Sequence, residues 1–198
     1  TGGVNVFNIH DFENSNLYSL NYGLRGSYNA YAPELFVRQI TPYLSLFFRE
    51  KDDFRSNKRK ILNIRYLDTK RDEDINNIAN SSEPNYNIFN VRFVNSNDNL
   101  INYNSWYTDF QLGKTFTKVS FEYEYRRLYE NNRQLNLRWF SGIFLRNTND
   151  LDSDYFSFAL DRPTDYLFDY NYLGRSESTG IFSQQYIEAE GGFKSKLN

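Results

Sequence analysis

The chain has 198 residues, 23 basic against 25 acidic side chains for a net charge of -2, one histidine and no cysteine. The charges are mixed along the chain with no basic stripe, which argues against a nucleic-acid partner, and the lack of cysteine excludes disulfides and cysteine metal sites. Only 39% of residues are hydrophobic, nearly half of these are aromatic (17 Tyr and 18 Phe), and 26 Asn favour turns over helices.

No apolar run reaches the roughly 18 residues of a transmembrane helix. A mean hydropathy of -0.74 does not settle the question of membranes, because a transmembrane strand meets lipid only at every second residue. The chain opens on TGGVNVFNIH without an initiating Met or a signal peptide and closes on GGFKSKLN within a strand-like pattern. The expectation is one β-barrel domain over 1-198, or a segment of one, cut from a longer chain.

From Tyr18 to Asn29 the even positions carry Tyr18, Leu20, Tyr22, Leu24 and Tyr28, while the odd ones carry Ser19, Asn21, Gly23, Arg25 and Ser27. That period of two predicts a strand with one oily and one wet face. Residues 40 to 49 repeat it, with Pro42 pointing to a bulge or an edge strand. Further runs follow around Leu62 to Tyr66, Phe89 to Phe93, Trp106 to Leu112 and Val119 to Arg127. The last predicted strands are Phe156 to Leu160, Phe168 to Tyr172 and Ile187 to Phe193. About ten strands of the length that crosses a bilayer at a tilt fit the chain, joined most simply as sequential antiparallel hairpins.

Two environments suit such strands. A soluble sandwich or barrel turns the apolar face inward; an outer-membrane barrel turns it to lipid and lines the lumen with polar groups. Clean alternation, long strands and abundant Tyr and Phe, as in aromatic girdles, favour the second. The fold class expected is therefore all-β, an antiparallel up-and-down transmembrane β-barrel of outer-membrane type, incomplete and with about ten strands in this segment. The lipid-facing set is Tyr18, Tyr22, Phe121, Tyr123, Tyr125, Trp139, Phe156 and Phe158. The luminal set is Arg25, Glu122, Glu124, Arg126, Arg138, Glu188 and Glu190. The hairpin 117 to 146 stays in phase if paired residue numbers sum to 262, which sets Glu124 opposite Arg138, Tyr123 opposite Trp139 and Tyr125 opposite Leu137.

Catalytic groupings are scarce. The single histidine, His10, gives no support to a histidine-based triad and excludes a multi-histidine zinc site within this chain. Glu122 with Glu124, and Glu188 with Glu190, have the two-residue spacing of acid/base pairs, but Arg126, Arg138 and Lys194 are within reach and charge neutralisation is the plainer role. Asp150, Asp152 and Asp154 have the spacing of a calcium loop, yet Tyr155 stands where that loop needs glycine, so a solvated loop is the plainer reading. No cofactor is expected. The partners expected are the lipid bilayer and the rest of the parent chain. The alternative is a soluble β-sandwich or barrel that binds carbohydrate or another ligand through surface aromatics.

The stretch EYRRLYENNRQLNLRWFSGIFLRN, followed by DYFSFALDRPTDYLFDYNYLGRSESTGIFSQQYIEAEGGFKSKL, resembles the outer-membrane barrel found after the catalytic region in bacterial gluzincin-type zinc metallopeptidase (aminopeptidase-like) relatives. The resemblance runs over residues 107 to 197. It implies a barrel in the bacterial outer membrane that anchors, or forms a channel for, a larger protein with a peptidase-like domain. These residues contain no HExxH, so no catalytic residue carries over and no enzymatic activity is implied for this segment.

Overall fold

Alternating side chains, with β-branched and aromatic residues on one face, favour extended backbone, since that face packs well on a pleated surface. The computed structural model describes residues 2–9, 16–32, 35–49, 55–71, 85–130, 133–148, 156–158, 166–169, 172–175 and 185–187. Eight strands form one antiparallel sheet: β1 (Gly2–Ile9), β2 (Leu17–Ala32), β3 (Leu35–Phe48), β4 (Lys58–Arg71), β5 (Asn85–Asp98), β6 (Asn102–Gly113), β7 (Phe116–Tyr129) and β8 (Arg133–Asn147). Spatial order equals chain order, an up-and-down meander. The sheet is not closed into a barrel; β1 and β8 are its edges. A separate hairpin pairs β9 (Tyr172–Arg175) with β10 (Gln185–Ile187), and β10 lies beside β2.

Among the described residues eight long strands form the main sheet where about ten of bilayer-crossing length were expected, and β9 and β10 are short strands of 4 and 3 residues outside it. Strand β1 was not anticipated: GGVNVFNI alternates weakly, and it forms because β2 offers it a ladder from Gly2↔Gly26 to Ile9↔Ser19. The runs expected as strands at 156 to 160 and 168 to 172 are corrected. Phe156 to Phe158 and Phe168 to Asp169 are irregular, and only the end of the second run enters β9. Pro42 also behaves differently from expectation. It lies inside β3 opposite Leu24 without a register shift, and the β3–β4 ladder skips from Ile40↔Asp68 to Tyr43↔Arg65 around it. Proline has no N–H to donate, so two rungs are lost and the strand runs on.

The hairpin β7–β8 follows the register set by the alternation: Tyr123↔Trp139, Glu124↔Arg138 and Tyr125↔Leu137. A bulge between Thr117 and Lys118 ends that phase near the β6–β7 turn. Burial alternates with the chemistry inverted from that of a water-soluble sheet. On β7 it is Phe116, Lys118, Ser120 and Glu122 that are buried, and Ser19, Gln39, Thr41, Thr69, Asn90, Asp109 and Gln111 are buried on the same polar face. The opposite face leaves Val4, Leu24, Leu137, Trp139, Ile143 and Leu145 at least half exposed. Across β5 to β8 that face carries a row of rings, Phe93, Trp106, Phe121 and Trp139, with successive centroids 5.4, 6.0 and 5.7 Å apart.

The small apolar cluster of the polar face sits at one end of the sheet. Leu67, Tyr86, Ile88 and Phe116 are roofed there by Phe156 and Tyr166 from segments that follow β8. Phe158 packs beside them against Phe140 and Phe144, over Gly142, where an added Cβ would come within 2.7 Å of the Phe158 ring. Leu67→Ala is expected to lower the unfolding free energy by about 2–5 kcal/mol, read by urea titration. A loss below about 1 kcal/mol, the level of an ordinary surface change, would show that this cluster is not the core.

Candidate functional site

The polar face is a connected hydrogen-bond network, and Asp109 is its hub. A carboxylate buried to 2% exposure needs full pairing. Its Oδ1 accepts from Asn90 Nδ2 at 2.9 Å and from Arg92 Nε at 2.8 Å, and its Oδ2 accepts from Gln111 Nε2 at 2.5 Å. Strand β5 supplies Arg92 and Asn90 because the register sets Asp109 opposite Arg92 and Asn90 opposite Gln111, while Gln111 lies two residues along β6 on the same face. Asn90 Oδ1 in turn accepts from Arg65 Nε at 2.7 Å, which carries the network to β4.

The segments 156–158 and 166–169 lie across this network and complete it. Tyr166 donates its hydroxyl to Gln111 Oε1 at 2.8 Å and receives a short hydrogen bond from Lys118 Nζ, while Tyr86 donates to the Tyr166 carbonyl at 2.7 Å. Lys118 also donates to the Phe156 carbonyl at 2.9 Å, and its ammonium sits 4.7 to 5.6 Å from the ring centres of Phe116, Phe144, Phe158 and Tyr166. The Lys118 amine is held there by its hydrogen bonds to the Phe156 carbonyl and the Tyr166 hydroxyl, and the ring faces enclose it. At the far end Asp169 meets the Arg65 guanidinium in a bidentate fork, at 2.5 and 2.6 Å, with Arg92 at 3.9 Å. Phe168 just before it has φ 57, a left-handed conformation that costs a non-glycine residue about 1–2 kcal/mol; this bend precedes the fork.

Burial pushes the Tyr166 phenol up and the Asp109 charge pushes it further, so it remains a neutral donor to Gln111. Burial alone would raise the Asp169 carboxyl. The hydrogen bonds and charge of Arg65, followed by the charges of Arg92 and Arg25, outweigh burial and hold it below its ordinary value.

The expected site residues divide into three groups. Glu122 and Arg138 are brought together: Arg138 Nε donates to Glu122 Oε1 at 2.6 Å, and Tyr107 donates to Oε2 at 2.7 Å. Glu124 is the register partner of Arg138, yet this ion pair runs diagonally to Glu122. With one hydrogen bond to each oxygen, from Arg138 on β8 and Tyr107 on β6, Glu122 is an acceptor that ties three strands together. Arg25 stacks over Tyr43 at 4.5 Å and Arg126 over Tyr103 at 5.1 Å, on the same polar face.

On the apolar face lie Tyr22, Phe121, Tyr123, Tyr125 and Trp139, and Tyr18 stands beside a bulge at the start of β2 with Arg49 4.5 Å over its ring. Phe156 and Phe158 are corrections. They were expected on the lipid-facing side with that group, and instead they pack on the polar face around Phe116, Phe144 and Lys118. Their FSF alternation is strand-like, but ring packing and the Lys118 hydrogen bond to a freed carbonyl take precedence over a ladder. His10, Asp150, Asp152, Asp154, Glu188 and Glu190 lie outside the described residues. Among the described residues no group of side chains could hold a metal ion.

Lys118, Asp109, Gln111, Tyr166 and Asp169 were not singled out as site residues. Lys118 shares the phase of Ser120, Glu122 and Glu124, a signal present in the sequence. The docking of Tyr166 and Asp169 had no local signal, because it joins residues as far as 104 positions apart. Beside the roofed cluster a cavity of about 500 Å³ opens, with Tyr86, Phe116 and Phe156 as apolar lining and Asp68, Lys70 and Lys114 among its polar residues.

The chain matches no family model, no curated protein and no solved structure.

A carboxyl held low contributes to docking at every pH above its free-chain value, about 4. That contribution disappears as pH falls through the docked value. Hydrogen-exchange protection of residues 166–169, corrected for intrinsic exchange, should therefore hold from neutral pH down to about 4 and drop below it. Asp169→Asn should lie low across the range. A wild-type profile that coincides with that of Asp169→Asn would show that the Asp169 carboxylate does not hold residues 166–169 to the sheet.

Proposed function

We propose that this chain is wall of an outer-membrane β-barrel, acting as a membrane anchor or channel for a larger bacterial protein. The observation that carries the reading is the inversion of the two faces: Lys118, Glu122, Asp109 and Asn90 are buried while Leu137, Trp139, Ile143 and Leu145 are exposed. In water this arrangement wastes apolar burial and charges a desolvation cost for each buried ion; against hydrocarbon the same outer face is the favourable one. The apolar alternation runs from Ile40 to Phe48 on β3 and from Leu135 to Leu145 on β8, close to the 9–11 residues that cross a bilayer at the usual tilt. Polar residues bracket it on β4 and β5, with Lys60 and Asn95 beyond one end and Asp68 and Asn87 beyond the other.

On this reading the two sheet edges are closed by further strands, since an open edge in hydrocarbon leaves backbone groups unsatisfied. The resemblance to barrels of gluzincin-type relatives adds the proposal that the parent chain carries a peptidase-like domain, with no catalytic group in this segment.

The carbohydrate-binding alternative draws on the outer rings. Neighbours in the row Phe93, Trp106, Phe121 and Trp139 are tilted by 50°, 32° and 64°, whereas a sugar platform needs coplanar rings. Their spread over four strands suits a lipid-facing belt better.

The protein should require detergent for solubility and migrate differently on a gel when unheated. Phe121→Lys, at mid-belt, should cost about 2–4 kcal/mol of folding free energy in lipid vesicles. Folding of a water-soluble monomer without detergent, or indifference to Phe121→Lys, would overturn the proposal.

A further inference from the structure

Arg65 is the cation on the polar face whose carboxylate comes from outside the sheet. Asp109 takes the Nε of Arg92 and Glu122 takes the Nε of Arg138, so these two sheet carboxylates are committed to arginines of neighbouring strands. The Nε of Arg65 is fixed by the neutral Asn90, which aims the two terminal nitrogens away from the strand at Asp169. The fork is therefore oriented by the sheet itself, and a planar guanidinium held this way is a preorganised receptor for a carboxylate. Arg92 stands 3.9 Å from the same carboxylate, and Arg25 on β2 adds a third positive charge to its field. Side-chain exposure of 18% at Arg65 and 33% at Asp169 leaves the pair within reach of solvent.

The group filling this socket belongs to residues 166–169, which pair with no strand of the main sheet. We propose that Arg65, with Arg92 and Arg25, forms a binding site for a small carboxylate-bearing solute, and that Asp169 occupies it as an internal, displaceable competitor. Release of Asp169 exchanges one carboxylate for another on the same fork, so the site loses no charge pairing when the solute binds. The covering segment remains tethered at its other end through Lys118, Gln111 and Tyr86, which hold Phe156 and Tyr166. The inference rests on the membrane-wall reading only for the solute's route to the site; the chemistry of the fork is the same in micelles or in buffer.

The test is calorimetric titration with succinate, against sodium chloride at matched ionic strength. Asp169→Asn should bind succinate at least tenfold more tightly than the wild type, Asp169→Glu should behave as the wild type, and adding Arg65→Gln to Asp169→Asn should abolish the gain. Equal affinity in wild type and Asp169→Asn, no binding to Asp169→Asn, or undiminished binding after Arg65→Gln would each overturn the proposal. If far-UV circular dichroism shows that Asp169→Asn has lost its sheet, the decision passes to Phe168→Cys carrying a spin label, next to an intact Asp169 and away from the tethered end at Phe156. Succinate should then increase the label's mobility where chloride does not, and an unchanged spectrum overturns the proposal. A protein that proves soluble without detergent would defeat the membrane reading while leaving these titrations to be judged on their own result.

Discussion

A carboxylate as deeply buried as Asp109 persists only if its charge and its lone pairs are met by fixed donors, and much of the polar face is arranged around that requirement. Asn90, Arg92 and Gln111 meet it directly. Each has a second obligation that extends the network: Asn90 orients Arg65, Arg92 leans toward Asp169, and Gln111 accepts from Tyr166. The segments crossing the face are thus bound to groups that the hub has already oriented. Removing Asp109 would leave one guanidinium and two amides on β5 and β6 without their common acceptor.

The same logic changes the standing of the paired glutamates. Two carboxylates spaced by two residues invite an acid/base reading when only the sequence is in view. Glu122 receives Arg138 and Tyr107 on separate oxygens, and such a group braces β6, β7 and β8 against one another. The chemistry of this face lies in matched charges, and the carboxylate of Asp169 joins them from residues that no strand of the main sheet supplies.

Much of the fold was legible because a strict period of two fixes both face and phase. The β7–β8 register followed from requiring Phe121, Tyr123 and Tyr125 to share a side with Leu137 and Trp139, since a slip of one residue would have exchanged the faces. Less was legible where long-range packing decides. Phe156 and Phe158 alternate as a strand would, but the rings of Phe116 and Phe144 and the ammonium of Lys118 draw them onto the sheet. The glycine-rich opening that becomes β1 has little amphipathic signal and depends on β2 for its ladder. Pro42 shows the converse: a local rule predicts a bulge or an edge strand, yet β3 is internal and pairs through that point in register.

Chain-order pairing also separates the protein's assembly in time. Each rung of the main sheet joins strands adjacent in sequence, and contacts of that kind form early, with hairpins closing on the order of microseconds in water. The fork from Arg65 to Asp169 spans 104 positions, far more than the widest rung of the main sheet, Lys58↔Asn97, and closing so long a loop costs more chain entropy. Residues 166–169 therefore gain nothing from local pairing, and their place on the polar face rests on side-chain bonds to the sheet beneath them.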